Sequence, residues 1–432
     1  MRSLWVVGYG CVLPLLLFSQ ASQKDRDKAQ ISRIHELEKN GTGGLVELSG
    51  FLKDPDRPVR VAAVNAIVDV GSTASLDPLL AATHDSDAEV RVRATDGIVN
   101  VYVPGYVANT GLSGYFTRGL HQVKLFFSER NDKVIDDDVK VRDGVGPALA
   151  QEVNFGNEMT PRSNAALAAG ILRLEPAVPA LEQALHSKDN DLIFESLVAL
   201  QKIHDPSAGE SVGFLVRDLD ERTQVTALET VGVLHGVPAA SDVRYALNNA
   251  RNAKIRRAAL SALAMLAVPE DRTVFRQYVM NSDPALRAAA LEGLGRLREP
   301  EDMPALQTSY DEASADWRIH LAAAFALVNE GNVSTEEFSP LPYLVENLNS
   351  RQRADTANAY LKELIHHDDV RKNIVNTMAD ATKAQKLALC WIFGQSHASD
   401  LMPALQKLAG DADGEVETAA KRAEHVLETR RD

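Results

Sequence analysis

The sequence predicts an all-α fold, a solenoid of about 11–12 stacked helical hairpins. Three observations predict it. A small residue returns at a nearly fixed interval: Ala63, Ala94, Ala165, Ser196, Ala227, Ala259, Ala290, then Leu321 in its place, then Ala357, Ala388 and Ala419. The steps are 31, 71, 31, 31, 32, 31, 31, 36, 31 and 31 residues. One helical turn later an apolar side chain usually follows, as at Ile67, Ile98, Leu200, Val231, Leu263, Leu294, Phe325, Leu361 and Ile392. Only 6% of residues are aromatic, and glycines and prolines fall at the unit boundaries.

The clearest unit is Asp283-Pro284-Ala285-Leu286-Arg287, running on to Leu297. Asp-Pro suits a helix start, because proline lacks an N–H that the first turn does not need. Leu286, Ala290, Leu294 and Leu297 then share one face at helical spacing. Upstream lies a second amphipathic segment, often opened by proline, as at Pro176, Pro300 and Pro403. A lone hairpin loses the thermodynamic contest: each buried Leu or Ile contributes roughly 1.5–3 kcal/mol. Ordering each residue costs about 1–2 kcal/mol. Stacked neighbours shelter one another and reverse that balance.

The entry pattern, Asp-x-x-apolar-Arg followed by small residues, recurs at Asp56–Arg60, Asp87–Arg91 and Asp283–Arg287. In this the chain resembles the HEAT-repeat family, in its short form of about 31 residues named after phycobilisome-lyase-like repeats. The resemblance extends over about residues 43–430. It implies a right-handed superhelix with the second helices lining the concave side. It implies no single activity, since most members are scaffolds or binding surfaces.

In chain order, residues 1–21 read as a signal peptide. Arg2 gives a positive start, Leu4–Phe18 an apolar run, and Ser19 and Ala21 small residues for cleavage after Ala21. The run is short for a spanning helix of about 20 residues, although an uncleaved anchor is the alternative. Residues 22–42 form a capping helix, with Ile31, Ile34 and Leu37 on one face. Repeats occupy residues 43–101 and 143–432, the last helix serving as a polar C-terminal cap.

Residues 102–142 fill the 71-residue step as a Gly-rich, aromatic insertion or degenerate repeat. Val139-Lys140-Val141-Arg142 imitates the entry of a second helix, so the first helix of this unit is the part expected to be replaced. Tyr102, Tyr106, Tyr115, Phe116, Phe126 and Phe127 are the candidate protein-binding residues, because insertions in solenoids map to one rim and Tyr and Phe favour interface centres. The competing reading makes them filler for a missing helix. The 36-residue step holds a polar hairpin extension around Asn329–Phe338.

Chemistry is sparse. Cys390 sits in an apolar helix, and with Cys11 in the signal no internal disulfide is left. His366-His367-Asp368-Asp369 carries metal-ligand types, but adjacent helical residues diverge by about 100°. His35-Glu36 is a single pair outside the array, whereas HEAT-like di-iron enzymes repeat such pairs. Asn332 and Asn40 head glycosylation sequons. The arginines three residues before the small position (Arg60, Arg91, Arg162, Arg256, Arg287, Arg318) are expected to brace units by pairing with Asp56, Asp87, Asp283 and Asp316. A net charge of −14, spread along the chain, argues against a nucleic-acid partner.

The expected protein is therefore an exported, periplasmic or extracellular, monomeric scaffold that binds another protein. It is expected to have no catalytic residues, no metal and no cofactor. The runner-up is an accessory lyase-like or metal-dependent enzyme subunit acting on a bound protein.

Overall fold

The computed structural model describes residues 13–107, 134–136, 138–156, 158–312, 316–378 and 380–429, with side chains from residue 23 onward. Among the described residues every regular element is helical. The chain divides into two compact units, Met1–Asp205 and Pro206–Asp432.

Unit 1 opens with α1 (Leu13–Lys39), which buries Ile34 and Leu37. Four hairpins follow: α2 (Leu45–Phe51) with α3 (Arg57–Val70), α4 (Leu76–Ala82) with α5 (Ala88–Tyr102), α6 (Val145–Phe155) with α7 (Met159–Ile171), and α8 (Val178–Ala184) with α9 (Asn190–Ile203). The second helices stack in sequence, α1 on α3, α3 on α5, α5 on α7 and α7 on α9.

Unit 2 has seven hairpins. Its first begins with a 3-10 turn, Gly213–Arg217, followed by α10 (Glu221–Val233). Then come α11 (Ala240–Asn248) with α12 (Ala253–Leu266), α13 (Arg272–Tyr278) with α14 (Pro284–Leu297), and α15 (Met303–Asp311) with α16 (Trp317–Asn329). The last three are α17 (Pro340–Asn347) with α18 (Ala354–Leu364), α19 (Asp368–Ile374) with α20 (Lys383–Gln395), and α21 (Met402–Leu408) with α22 (Gly414–Thr429). Here too each second helix packs on the next, from α10 through to α22. Each unit is thus a helical solenoid, as the 31-residue period requires.

The second helices start by one device. An Asp or Asn at the N-cap accepts the free N–H groups of the first turn: Asp87 from Glu89 and Val90, Asp189 from Leu192, Asp220 from Thr223, Asn252 from Ile255, Asp283 from Ala285 and Leu286. Thr382 and Gln385 form a capping box on α20. Two residues before several of these caps another acid or amide receives the cap's own N–H, as Asp85 does for Asp87 and Asn281 for Asp283, at 2.8 and 2.9 Å.

The small position is the core of each crossing. From Ala63 to Ala357 every member is fully buried. In the last two repeats the register slips by one, so that Leu389 and Ala420 are the fully buried residues and Ala388 and Ala419 are partly exposed. A close approach between second helices lies further on, where a Cβ on Gly295 would stand 2.5 Å from the Cα of Ala326.

Val139–Arg142 is not the start of a second helix, contrary to the sequence pattern. Those residues are non-helical, and the helix that follows them, α6, is the first of its hairpin. The segment is held by other bonds: the Ile135 N–H donates to the Ile171 carbonyl at 2.9 Å and the Arg142 N–H to the Tyr102 hydroxyl at 3.0 Å. With its backbone tied in this way, its Val-Lys-Val-Arg alternation does not serve a helix.

Candidate protein-binding surface

Four of the six aromatic candidates, Tyr115, Phe116, Phe126 and Phe127, lie outside the described residues. Tyr106 is 1% exposed and so belongs to the core of unit 1, a correction to its expected place in a recognition patch. The neighbouring Val107 N–H donates to the Asn100 side chain at 3.1 Å, which fixes the chain as it leaves α5. Tyr102 is half-buried and receives the Arg142 N–H, so it fastens the returning chain. Where the insertion joins the array, these two tyrosines act as filler and fastener.

Most of the arginines expected to brace units pair with partners other than those foreseen, while Arg318 keeps its expected Asp316. Arg60 reaches Asp85, two residues before the next cap, at 2.8 Å. Asp56, Asp87 and Asp283 are instead held by Arg26, Arg57 and Arg257, at 2.8, 2.6 and 2.7 Å. Arg287 pairs with Glu312, Arg318 with Asp316 of its own cap, and Arg162 donates to the Val153 carbonyl. A second ladder runs along the first helices: Arg217 to Asp242, Arg244 to Asp271, Arg272 and Arg276 to Asp302, and Arg371 to Asp400. No 31-residue search centred on the second helices would find it, because its arginines occupy different positions in each first helix.

Arg91 is the odd member, since the insertion has changed its neighbour. It pairs with Glu152 at 3.1 Å and Glu158 at 2.6 Å. Arg91 and Glu152, together with Thr83, His84, Asp85, Gln151, Phe155 and Gly156, line a cavity of about 300 Å³. Burial raises the Glu152 carboxyl above its ordinary range despite Arg91. Because Arg91 is spent on its two carboxylates and two backbone carbonyls, the cavity is a place of internal pairing.

The second helices of unit 2 hold the most developed side-chain network. Arg296 on α14 forms a two-pronged pair with Glu363 on α18, both contacts 2.8 Å, although one whole repeat lies between them. Tyr360 on α18 returns the contact, its hydroxyl donating to Glu292 on α14 at 2.5 Å. Between the two, Phe325 of α16 stacks on Tyr360 at 4.7 Å and carries the Arg296 guanidinium at 4.8 Å. Arg296 also donates to the Ala264 carbonyl on α12 and to Glu292. Four successive second helices are joined, and Leu321–Asn329 of α16 is buried beneath them. Burial, followed by the Glu292 charge, holds the Tyr360 hydroxyl far above its ordinary range, so it stays a donor.

On the following second helix, α20, Trp391 is 44% exposed, with the Lys362 ammonium of α18 5.3 Å from its ring. Tyr310, His320 and Tyr343 form an edge-to-face trio, 5.9–6.3 Å apart, that seals the junction of α15, α16 and α17. Sequence reasoning missed both groups. Glu292 and Arg296 are one helical turn apart and could have been noticed; Glu363 and Tyr360 follow 67 and 68 residues later, with no periodic mark.

The remaining candidates have structural roles. Cys390 is fully buried and burial pushes its thiol up to about 11, which suppresses the thiolate. Asp368 pairs with Arg371 and His367 precedes α19 as its N-cap residue. Arg251 joins repeats, since it donates to the Leu219 and Asp218 carbonyls and to Gln224.

Among known proteins, no curated sequence matches the chain. The family model for HEAT repeats matches residues 240–327, which hold α11 to α15 and most of α16. Solved structures similar to the chain include these three. One is an engineered protein, 16% identical, covering 92% of this chain and 99% of that one, with a TM-score of 0.37. Another is the complex of CpcE and CpcF of phycocyanin lyase from Nostoc sp., 19% identical over 58% of this chain and 94% of that one, TM-score 0.38. The third is importin beta, 13% identical over 94% of this chain and 65% of that one, TM-score 0.38. Residues 240–327 thus match the HEAT-repeat family, and the same capped helical hairpin recurs before and after them.

Proposed function

We propose that the chain is an exported, non-catalytic scaffold that binds another protein through the second-helix face of unit 2. The observation that carries this reading is Trp391, a large aromatic side chain 44% exposed beside an otherwise internally paired network. Tryptophan is enriched among the few residues that dominate interface energetics. On the first-helix side, the charged side chains of the second ladder are largely taken up in pairs between repeats. A solenoid of this kind works as a monomer with a broad contact face, and its net charge of −14 suits a protein more than a nucleic-acid partner.

Export rests on the apolar run before Ser19 and the small residues ending at Ala21. Cleavage after Ala21 removes the first nine residues of α1 but keeps Ile34 and Leu37, whose side chains seat the cap. The intact mass of the mature protein tests this, with Ser22 expected at its N-terminus. For the binding reading, affinity capture compares the full chain with Trp391→Ala. A discrete partner retained by the first and lost by the second supports it. Equal retention by both sinks the assignment to this face.

A further inference from the structure

We propose that Arg296 is a receptor for a carboxylate of the protein partner, and that Glu363 is the internal stand-in which the partner displaces. This rests on the protein-binding reading above and names what the face recognises: an acidic peptide segment with an apolar side chain beside its carboxylate.

Arg296 is built as a receptor. Its side chain is 11% exposed and fixed from behind by the Phe325 ring at 4.8 Å, the Ala264 carbonyl at 3.3 Å and Glu292 at 3.2 Å. Those contacts take up Nη1 and the guanidinium face. Nε and Nη2 are left as a parallel two-donor edge, the geometry that matches a carboxylate. Glu363 fills that edge with two contacts of 2.8 Å, yet its own side chain is 43% exposed. So the receiving group is preorganised and desolvated, and the group that occupies it is the solvent-facing member.

Glu292 and Tyr360 make the arrangement independent of Glu363. Tyr360 donates to one Glu292 oxygen at 2.5 Å, and the other Glu292 oxygen accepts from Arg296 at 3.2 Å. If Glu363 swings away, Arg296 stays in place with its outward edge open. A carboxylate from outside then takes the place of Glu363, and on α20, the next second helix after α18, the exposed Trp391 ring offers a surface on which an apolar side chain can lie. The charges are complementary: displacing Glu363 leaves the Nε and Nη2 edge of the Arg296 guanidinium facing the newcomer.

An internal competitor lowers apparent affinity by the fraction of time it occupies the site. Removing it should tighten binding, the opposite of what losing a contact residue does. The probes are three acetylated dodecapeptides of alternating residues, Glu-Leu, Gln-Leu and Lys-Leu, titrated into the full mature chain by calorimetry. Glu363→Ala is expected to bind the Glu-Leu peptide about tenfold more tightly than the wild type. It should leave Gln-Leu and Lys-Leu unaffected. Adding Arg296→Gln to Glu363→Ala should abolish the gain, and circular dichroism should show the helical content of both variants unchanged. Glu363→Ala binding the acidic peptide no better than the wild type, or absence of binding to both, overturns the proposal. Capture of a partner that depends on Trp391 would survive that outcome, so the two readings fail separately.

Discussion

Arg296 and Glu363, 67 residues apart, meet across an intervening helix with two contacts of 2.8 Å. The pair, with Tyr360 and Glu292, turns a stack of nearest neighbours into one in which second helices two repeats apart also touch. Tyr360→Phe tests how much this matters. It removes the hydroxyl that donates to Glu292 at 2.5 Å while keeping the ring on Phe325. A buried hydrogen bond to a charged group contributes about 1.5–3 kcal/mol, so chemical denaturation should show a loss of that order. A loss below about 0.5 kcal/mol would mean that the contact adds nothing net.

Close packing between second helices sets a second expectation. A Cβ at Gly295 would meet the Cα of Ala326 at 2.5 Å, whereas one at Gly50 in α2 meets nothing within 4 Å. Gly295→Ala should therefore destabilise by about 1–3 kcal/mol through overpacking. Gly50→Ala should stabilise by about 0.5–1 kcal/mol through helix propensity. Opposite shifts in denaturation midpoint are the signature.

Several second helices end in a left-handed residue that is not glycine, among them His204, Ala267 and Arg298, with φ of 61°, 49° and 57°. An L-residue there costs roughly 1–2 kcal/mol. Ala267→Gly should recover about 1 kcal/mol of it. The expected reading is a rise in Tm; a fall would show that the Ala267 methyl has a packing role.

The capping aspartates give the acid limb of stability. Asp220 is held below the usual carboxylate range mainly by the Thr223 N–H. For Asp283, burial works upward, but Arg257 and the Ala285 and Leu286 N–H groups bring the net value down. A depressed folded value means that the stabilisation is complete above the unfolded value of about 3.9 and is lost as pH falls through the folded one. On account of these caps Tm should decline below about pH 4. Asp220→Asn, which retains a capping oxygen, should make that decline shallower.

The insertion can be divided by its fastenings. Removing residues 108–133 leaves Tyr102, Tyr106, Val107 and Ile135, the side chains and backbone that bind the array. With a short glycine-serine closure, Tm should change by less than about 3 °C, since the anchors Tyr102, Tyr106 and Ile135 stay in place. Removing Tyr102–Asp138 deletes those anchors and should lower Tm by more, as calorimetry would show.

Much of this was legible in the chain. The period located the crossings as far as Ala357, because filling each one is a local demand that the repeats share: Ala63, Ala94 and Ala290 are all fully buried, and only in the last two repeats does the register slip by one. Asp283 and Asp87 announced helix starts because capping is settled within three residues. Val139–Arg142 misled because a four-residue pattern says nothing of the Tyr102 hydroxyl that holds its backbone. The bracing pairs were foreseen in kind and misassigned in detail, since Asp85 and Asp87 are two residues apart and both lie within an arginine's reach. Glu363 and Trp391 were invisible as a site, because their meeting depends on how helices α14, α18 and α20 are stacked.

Hydrogen–deuterium exchange on the chain, alone and with its captured partner, tests most directly where that partner sits. The account predicts added protection concentrated on α14, α18 and α20, around Arg296, Lys362 and Trp391. Protection confined to the first helices α11, α13 and α15, with the second helices unchanged, would contradict it.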